Sequence, residues 1–478
     1  LQAPTLSPIR VAPGGRYFET FDGEPFLFIG PNDAITWQGL KGLVHRKDVA
    51  SAEGYLESLA VNGITIIRLM LEYAHRDGTY FEKPVGRFNP AMVRLWDDLF
   101  ALCERYRLRV LLAPWDNFWL ARRWHKHPYN VINGGPAHGP GAFFTDEATI
   151  QATERRLRFV AERWGGSGAL AAWDLFNEID PYWGGGPAEQ IPVIARLSEA
   201  IRETEMRVWG FTRPQTVSIY GPNPGPYEEL IFRHPSLDFA TTHIYHKGPI
   251  DHPKNTVASA VTMAEWVRFG LTQTPPDRPF TDTEHGPIHL FNDHKKMLPE
   301  VFDEEYERHM NWAHLATGGA GSGMRWPARH PHILPFGMKR ALRSLAGFTK
   351  LIDWRHFSPK PAAEDVTLGV KGWLPFACHD GQQAVVWLLR DVPKSHKGPL
   401  PQRDPQHEVS FCLRNLRPGA YSVKLWNTLE GREEGCLVAE AKEDGALRTV
   451  LPVLGNDLAL AVRPEGATTM VQARLPLL

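Results

Sequence analysis

The strongest constraint on this chain is a set of eight short and nearly all-apolar runs, with longer amphipathic segments between most of them. The runs fall at 26–32, 64–70, 109–115, 169–178, 216–220, 237–245, 279–286 and 321–327. Strands buried on both faces lose the period-two polar pattern, and this happens where helices cover a parallel sheet. Segment 49–62 places Leu56, Leu59 and Ala60 on one helical face and stops at Gly63. Asn89-Pro90 supplies a cap and a first-turn proline for a helix over 92–106. Segment 146–164 starts at Thr145 or Asp146 and stops at Gly165-Gly166, and 191–204, 259–269 and 303–316 read as further helices. Eight such runs interleaved with helices predict a (β/α)8 TIM barrel. A doubly wound sheet calls for a glycine-rich phosphate turn after its first strand, where this chain has Gly-Pro-Asn-Asp-Ala.

From about Pro359 the texture changes. Runs at 366–371, 384–389, 408–413, 420–426, 449–453 and 458–462 are separated by Gly, Pro, Asn and Asp with no long helix between them, which predicts an antiparallel β-sandwich. A chain of 478 residues also exceeds what one core usually organises. The expected division is therefore 1–358, a barrel with an N-terminal β segment, and 359–478, a β-sandwich accessory to it.

Composition closes off several functions. A net charge of −1 with no Lys/Arg run argues against nucleic acid and anionic membrane as partners. No run of about 18 apolar residues exists to span a bilayer. Cys103, Cys378, Cys412 and Cys436 form no C-x-x-C pair, so neither a thiolate metal site nor a disulfide framework is expected. The polar leader Leu1 to Pro8 fits a secreted or periplasmic protein after signal removal, and equally a trimmed cytoplasmic chain. Oligomeric state is not legible.

The chemistry concentrates at strand ends. The fourth run finishes Trp173-Asp174-Leu175-Phe176-Asn177-Glu178 and the seventh Phe280-Thr281-Asp282-Thr283-Glu284-His285-Gly286. A carboxylate there costs free energy unless it is paired, and the C-terminal strand ends are where barrels place catalytic groups. Two facing carboxylates suit glycosidic bond cleavage, one giving a proton to the leaving oxygen and the other attacking the oxocarbenium-like centre. A salt bridge is the ordinary role of a single such Glu, and two of them at the mouth of one barrel make that role insufficient. The 16 Trp and 12 Tyr, several in segments read as loops (Trp37, Trp119, Trp124, Tyr182, Trp183), suit a surface that stacks on sugars. The long 116–144 insertion after the third run carries many of these rings.

These motifs resemble glycoside hydrolase family 5, the cellulase and mannanase family of the retaining (β/α)8 clan, over about Phe18 to Leu351. The resemblance implies that Glu178, after Asn177, is the acid/base and Glu284 the nucleophile. Arg68 would support the nucleophile by favouring its ionised form, and Tyr245 in His243-Ile244-Tyr245 would hydrogen-bond it. Asn177 would contact the sugar 2-hydroxyl, His243 would hold the network together, and Trp326 would be the sugar platform. Asp22-Gly23-Glu24-Pro25-Phe26 matches the opening of these barrels. Two features depart from the family: its histidine after the third strand is absent, so that place is unfilled or taken by Trp115 or Asn117, and Ile179-Asp180 follow the Asn-Glu pair where Pro is common. Trp115, Asn117, Trp119 and Trp183 are the further expected substrate contacts. Asp180 and Asp282 are expected to support the pair rather than to react.

The implied substrate is an oligo- or polysaccharide, β-1,4-linked mannan or glucan first, with an exo-acting β-mannosidase or β-glucosidase as the alternative. A catalytically inactive sugar-binding barrel is the alternative of another class. No cofactor is expected. No metal is expected either, because H-E-x-x-H and a first-strand His-x-His are both missing, although His125, His127, His285, His289, His330 and His332 are numerous. The glycine run 318–323 lacks a phosphate-binding Lys, and no G-x-S-x-G elbow supports an esterase.

Overall fold

The computed structural model describes residues 6–73, 75, 79–179, 185–287, 298–327 and 334–467. The fold is mixed α/β. Strands Asn32–Asp33, Ile66–Met70, Arg109–Ala113, Leu170–Asp174 and Gln215–Thr216 form a parallel five-stranded sheet in chain order. Ala240–Ile244 pairs in parallel with Phe280–His285, and Gly321–Gly323 with Phe28–Ile29. Backbone bonds join these groups. Asp238 N donates to Gln215 O (2.8 Å), Ala320 N to Phe280 O (2.9 Å) and Asn32 N to Arg325 O (2.9 Å), so the last strand returns to the first.

Helices form where the sequence signals place them, with caps as expected. Asn89 Oδ1 accepts from Ala91 N (3.0 Å) and starts Pro90–Tyr106, whose Met92, Leu95, Trp96, Leu99 and Cys103 are buried at three- and four-residue spacing. Asp146 accepts from Thr149 N (2.8 Å) to start Glu147–Trp164. Helix Phe336–Phe348 was not anticipated, although Met338, Ala341, Leu342, Leu345 and Phe348 make its buried face.

Several strands are shorter than the apolar runs. The first run splits into Pro25–Phe26, Phe28–Ile29 and Asn32–Asp33, and the fourth ends at Asp174 rather than Glu178. Apolar content reports burial, and burial continues into the turns beyond the last ladder bond. The 116–144 insertion is also more ordered than a loop, with helices Asn117–Arg122 and Ala142–Thr145.

The C-terminal part departs from a sandwich of two separate sheets. Nine antiparallel strands from Lys360–Pro361 to Asp457–Pro464 hydrogen-bond as one sheet. Arg432–Ala441 and Leu447–Leu454 share only the pair Ala441↔Leu447, a weak joint at which the sheet turns over. Residues from both sides of it, Val386, Val423 and Leu460 with Val409, Phe411 and Leu451, then share one apolar cluster. Trp373–His379 and Arg432–Ala441 escape the sequence reading because Pro375 interrupts the first and the second is mostly polar and exposed. The outer surface of this sheet packs on the larger core through Phe376, Trp387 and Trp426. Among the described residues, no helix is long and apolar enough to cross a membrane.

Candidate active site

Arg68, fully buried on strand Ile66–Met70, organises the centre. Its Nη1 donates to Glu284 Oε2 (2.7 Å) and Asn32 Oδ1 (2.9 Å), and its Nη2 to Asp174 Oδ2 (2.7 Å) and Asn177 Oδ1 (2.7 Å). Burial disfavours its charge, yet Asp174 and Glu284 hold the guanidinium above the usual arginine range. A rigid fork is the side chain suited to joining four acceptors from three strand ends in this way. The other oxygen of Glu284 accepts from Tyr245 Oη at 2.7 Å. Burial, with Glu284 next to it, pushes the Tyr245 phenol well above its ordinary range, so it remains a donor.

Glu178 stands on the opposite side in the left-handed region, at φ +54°. For a residue with a Cβ this conformation costs on the order of 1–3 kcal/mol and must be held by its surroundings. Ser218 Oγ accepts from its N–H (3.1 Å), and Asn117 Nδ2 donates to its carbonyl (2.8 Å). His243 Nδ1 lies 2.8 Å from Glu178 Oε1 and 3.6 Å from Glu284 Oε2. Burial keeps His243 below the usual histidine range despite the pull of Glu284. One oxygen of each glutamate and one His243 nitrogen lie within 4.8 Å of one another. The same three residues are the candidate metal ligands among those described. A cation there would have to displace the Arg68 and Tyr245 donors from Glu284.

Asp282 lies against the Glu284 backbone. Its Oδ1 accepts from Glu284 N (3.1 Å) and Ile244 N (3.2 Å), while His285 Nδ1 lies 2.5 Å from its Oδ2. Burial opposes ionisation, but His285 beside it holds this carboxyl below the usual range. Sequence reasoning missed Asp116, Asp174 and Asn32. Asp116 accepts from Asn177 Nδ2 (2.9 Å) and caps helix Asn117–Arg122. Burial pushes its carboxyl up to about 7, against the Asn177 bond and aided by Glu178 and Glu284. Its position between Trp115 and Asn117, at the end of the third run, is the one signal the sequence carries for it.

The aromatic residues separate into two groups. Trp326 stacks on Tyr73 (5.2 Å between centroids) and meets Trp37 edge-on (5.0 Å), with Trp119 edge-on to Tyr73 (5.6 Å). Trp326, Tyr245, Trp37 and Tyr73 share one small apolar cluster. Trp115, only 2% exposed, is instead packed beneath the insertion, with Arg156 4.0 Å over its ring and Tyr129 and Phe143 against its edges. Asn117 is buried and serves the Glu178 backbone. Trp183, Tyr182, Asp180, His289, His330 and His332 lie outside the described residues.

No known family model and no characterised protein matches the sequence. The fold does have counterparts, and they are glycoside hydrolases. A protein described as a glycoside hydrolase superposes with a TM-score of 0.61 at 14% identity, covering 97% of this chain and 98% of its own. A family 5 glycoside hydrolase from Bacteroides vulgatus gives 0.62 at 13% identity, over 98% and 96%. A family 5 mannosidase from Rhizomucor miehei, in complex with mannosyl-fructose, gives 0.54 at 14% identity, over 72% of this chain and 97% of its own. At such identities the likeness establishes a shared fold, that of family 5 glycoside hydrolases.

Proposed function

We propose that this chain is a retaining glycoside hydrolase acting on β-linked hexosides, mannan- or glucan-derived, with Glu284 as nucleophile and Glu178 as acid/base. The observation that carries the reading is the unequal environment of two carboxylates with oxygens less than 4.8 Å apart. Glu284 accepts a guanidinium N–H and a phenol O–H, both of which favour its anion. Glu178 faces an imidazole that burial keeps neutral. Such a ring can donate to ionised Glu178 or accept from its protonated form, as an acid that becomes a base requires. Their close approach also suits retention, where carboxyl groups stand roughly 5–5.5 Å apart, better than the wider spacing of inversion.

In the first step Glu284 attacks the anomeric carbon while Glu178 gives its proton to the departing oxygen, leaving a glycosyl ester on Glu284. In the second, ionised Glu178 takes a proton from water, which attacks the same carbon and frees the Glu284 carboxylate. Asn177 has one N–H on Asp116 and a second left for the sugar 2-hydroxyl. The ring of strands is read as a closed (β/α)8 barrel spanning 1–358, and residues 359–478 as an accessory domain that packs against it. Mannose enters the proposal because one structural counterpart is a mannosidase.

The test is hydrolysis of aryl β-mannoside and β-glucoside followed by proton NMR. A first-formed β-anomer is expected, with Glu284→Ala inactive and Glu178→Ala far less impaired on an activated aryl glycoside than on an oligosaccharide. A first-formed α-anomer, or wild-type turnover by Glu284→Ala, overturns the mechanism. Sugar binding without any turnover supports the inactive-barrel reading instead.

A further inference from the structure

Tyr220, at 41% exposure, is the one exposed tyrosine or tryptophan among the described residues. A single exposed ring is ordinary on a protein surface, and this one is set apart by where it stands. It follows strand Gln215–Thr216, two residues after Ser218, whose Oγ accepts from Glu178 N at 3.1 Å. Its ring stacks on Tyr245, with 5.5 Å between centroids and 26° between planes. The Tyr245 hydroxyl in turn donates to Glu284 at 2.7 Å. Tyr220 is therefore one residue removed from each of the two glutamates, through Ser218 and through Tyr245. One face of the ring is turned to Tyr245, and the other is the face a ligand can meet.

The direction of the Glu178 carboxylate decides which sugar meets it. Glu178 follows strand Leu170–Asp174, yet its Oε1 lies 2.8 Å from His243 on strand Ala240–Ile244. The carboxylate thus extends across the end of the intervening strand, Gln215–Thr216, beyond which Tyr220 lies. The oxygen that Glu178 protonates leaves on this side. The larger group of rings, Trp326, Trp37, Tyr73 and Trp119, follows strands Gly321–Gly323, Asn32–Asp33, Ile66–Met70 and Arg109–Ala113, on the other side in strand order. We infer that Tyr220 is the platform on which the leaving sugar stacks. A pyranose presents a face of C–H groups, and an aromatic face next to the site of cleavage is what holds it. The natural leaving group is then itself a sugar ring, and the same face receives a sugar acceptor in the second step. The inference rests on the glycosidase reading with Glu178 as acid/base.

The experiment compares wild type, Tyr220→Ala and Tyr220→Phe on two substrates. One is β-1,4-linked mannohexaose or glucohexaose, whichever wild type cleaves, and the other is the β-hexosyl fluoride of the same sugar, whose leaving atom reaches no platform. Tyr220→Ala is expected to lose about 10–100-fold in kcat/KM on the hexaose, mainly through KM, and under about 3-fold on the fluoride. Tyr220→Phe keeps the ring and is expected to stay within about 3-fold of wild type on both. Equal losses on the two substrates overturn the inference, because Tyr220 would then act only through Tyr245 and Glu284. A Tyr220→Phe loss as large as that of Tyr220→Ala overturns it by assigning the effect to the hydroxyl. Cleavage of the fluoride with neither hexaose cleaved also overturns it, while leaving the glycosidase standing. No turnover of any of these substrates by wild type overturns the glycosidase reading itself.

Discussion

Tyr245→Phe removes one hydrogen bond to Glu284 and little else. The ring is 6% exposed and stacks on Tyr220 at 5.5 Å, so phenylalanine keeps the packing. The lost contact is a 2.7 Å O–H bond to an acceptor that Arg68 holds from its other side. Hydrogen bonds to charged groups are worth about 1.5–3 kcal/mol, and each 1.36 kcal/mol is a factor of ten in rate. If that bond orients Glu284 for attack, kcat/KM for an aryl β-hexoside falls by about 10–150-fold. Folding tolerates the change, because Arg68 still pairs the carboxylate, and the thermal midpoint moves by no more than about 2–4 °C per kcal/mol lost. Steady-state kinetics with a released nitrophenol measures the first quantity and calorimetry the second. A variant within about threefold of wild type would refute the assignment of Tyr245 to the nucleophile, since a bond of that class cannot be lost so cheaply at a reacting group.

Other expectations follow from the same contacts. Asp116, at about 7 when folded against about 3.9 unfolded, favours its neutral form in the native state. As pH rises from about 4 to about 7 the unfolded chain ionises first, so wild type loses stability relative to Asp116→Asn across that window. Denaturation midpoints at several pH values that ran parallel for the two proteins would contradict this. Arg308 pairs with buried Asp457 at 2.6 Å, and Asp457 also accepts from Trp387 Nε1 (3.0 Å), joining helix Glu300–Thr317 to the C-terminal sheet. Arg308→Ala leaves that carboxylate uncompensated and is expected to cost about 3–5 kcal/mol in urea unfolding, and a loss below 1 kcal/mol would argue against the buried pair as the tie. Asn117→Ala removes the donor on the Glu178 carbonyl, so the left-handed turn relaxes. The expected effect is a kcat loss of about 10-fold or more with KM little changed, and the reverse split would assign Asn117 to substrate binding instead.

The sequence by itself determined the alternating α/β plan and the caps at Asn89 and Asp146, and it singled out Glu178, Glu284, Arg68, Tyr245 and His243, whose side chains meet in the structure. These are local matters, since burial on both faces leaves an apolar run, caps act within three residues, and carboxylates at apolar strand ends are conspicuous. Tertiary structure alone decided what each side chain faces. Trp115 and Asn117 sit in the third segment as Trp326 sits in the eighth, yet one is packed under Arg156, another braces the Glu178 backbone, and the third lies beside Tyr245. The folding-over of the C-terminal sheet depends on one pair, Ala441↔Leu447, between strands whose composition does not distinguish one bent sheet from two. Asp116 gains its shifted acidity from burial first, and then from Glu178 and Glu284, about 60 and 170 positions away. Charge interactions and desolvation depend on distance in space, and the chain's order carries that distance only where neighbours in sequence are also neighbours in the fold.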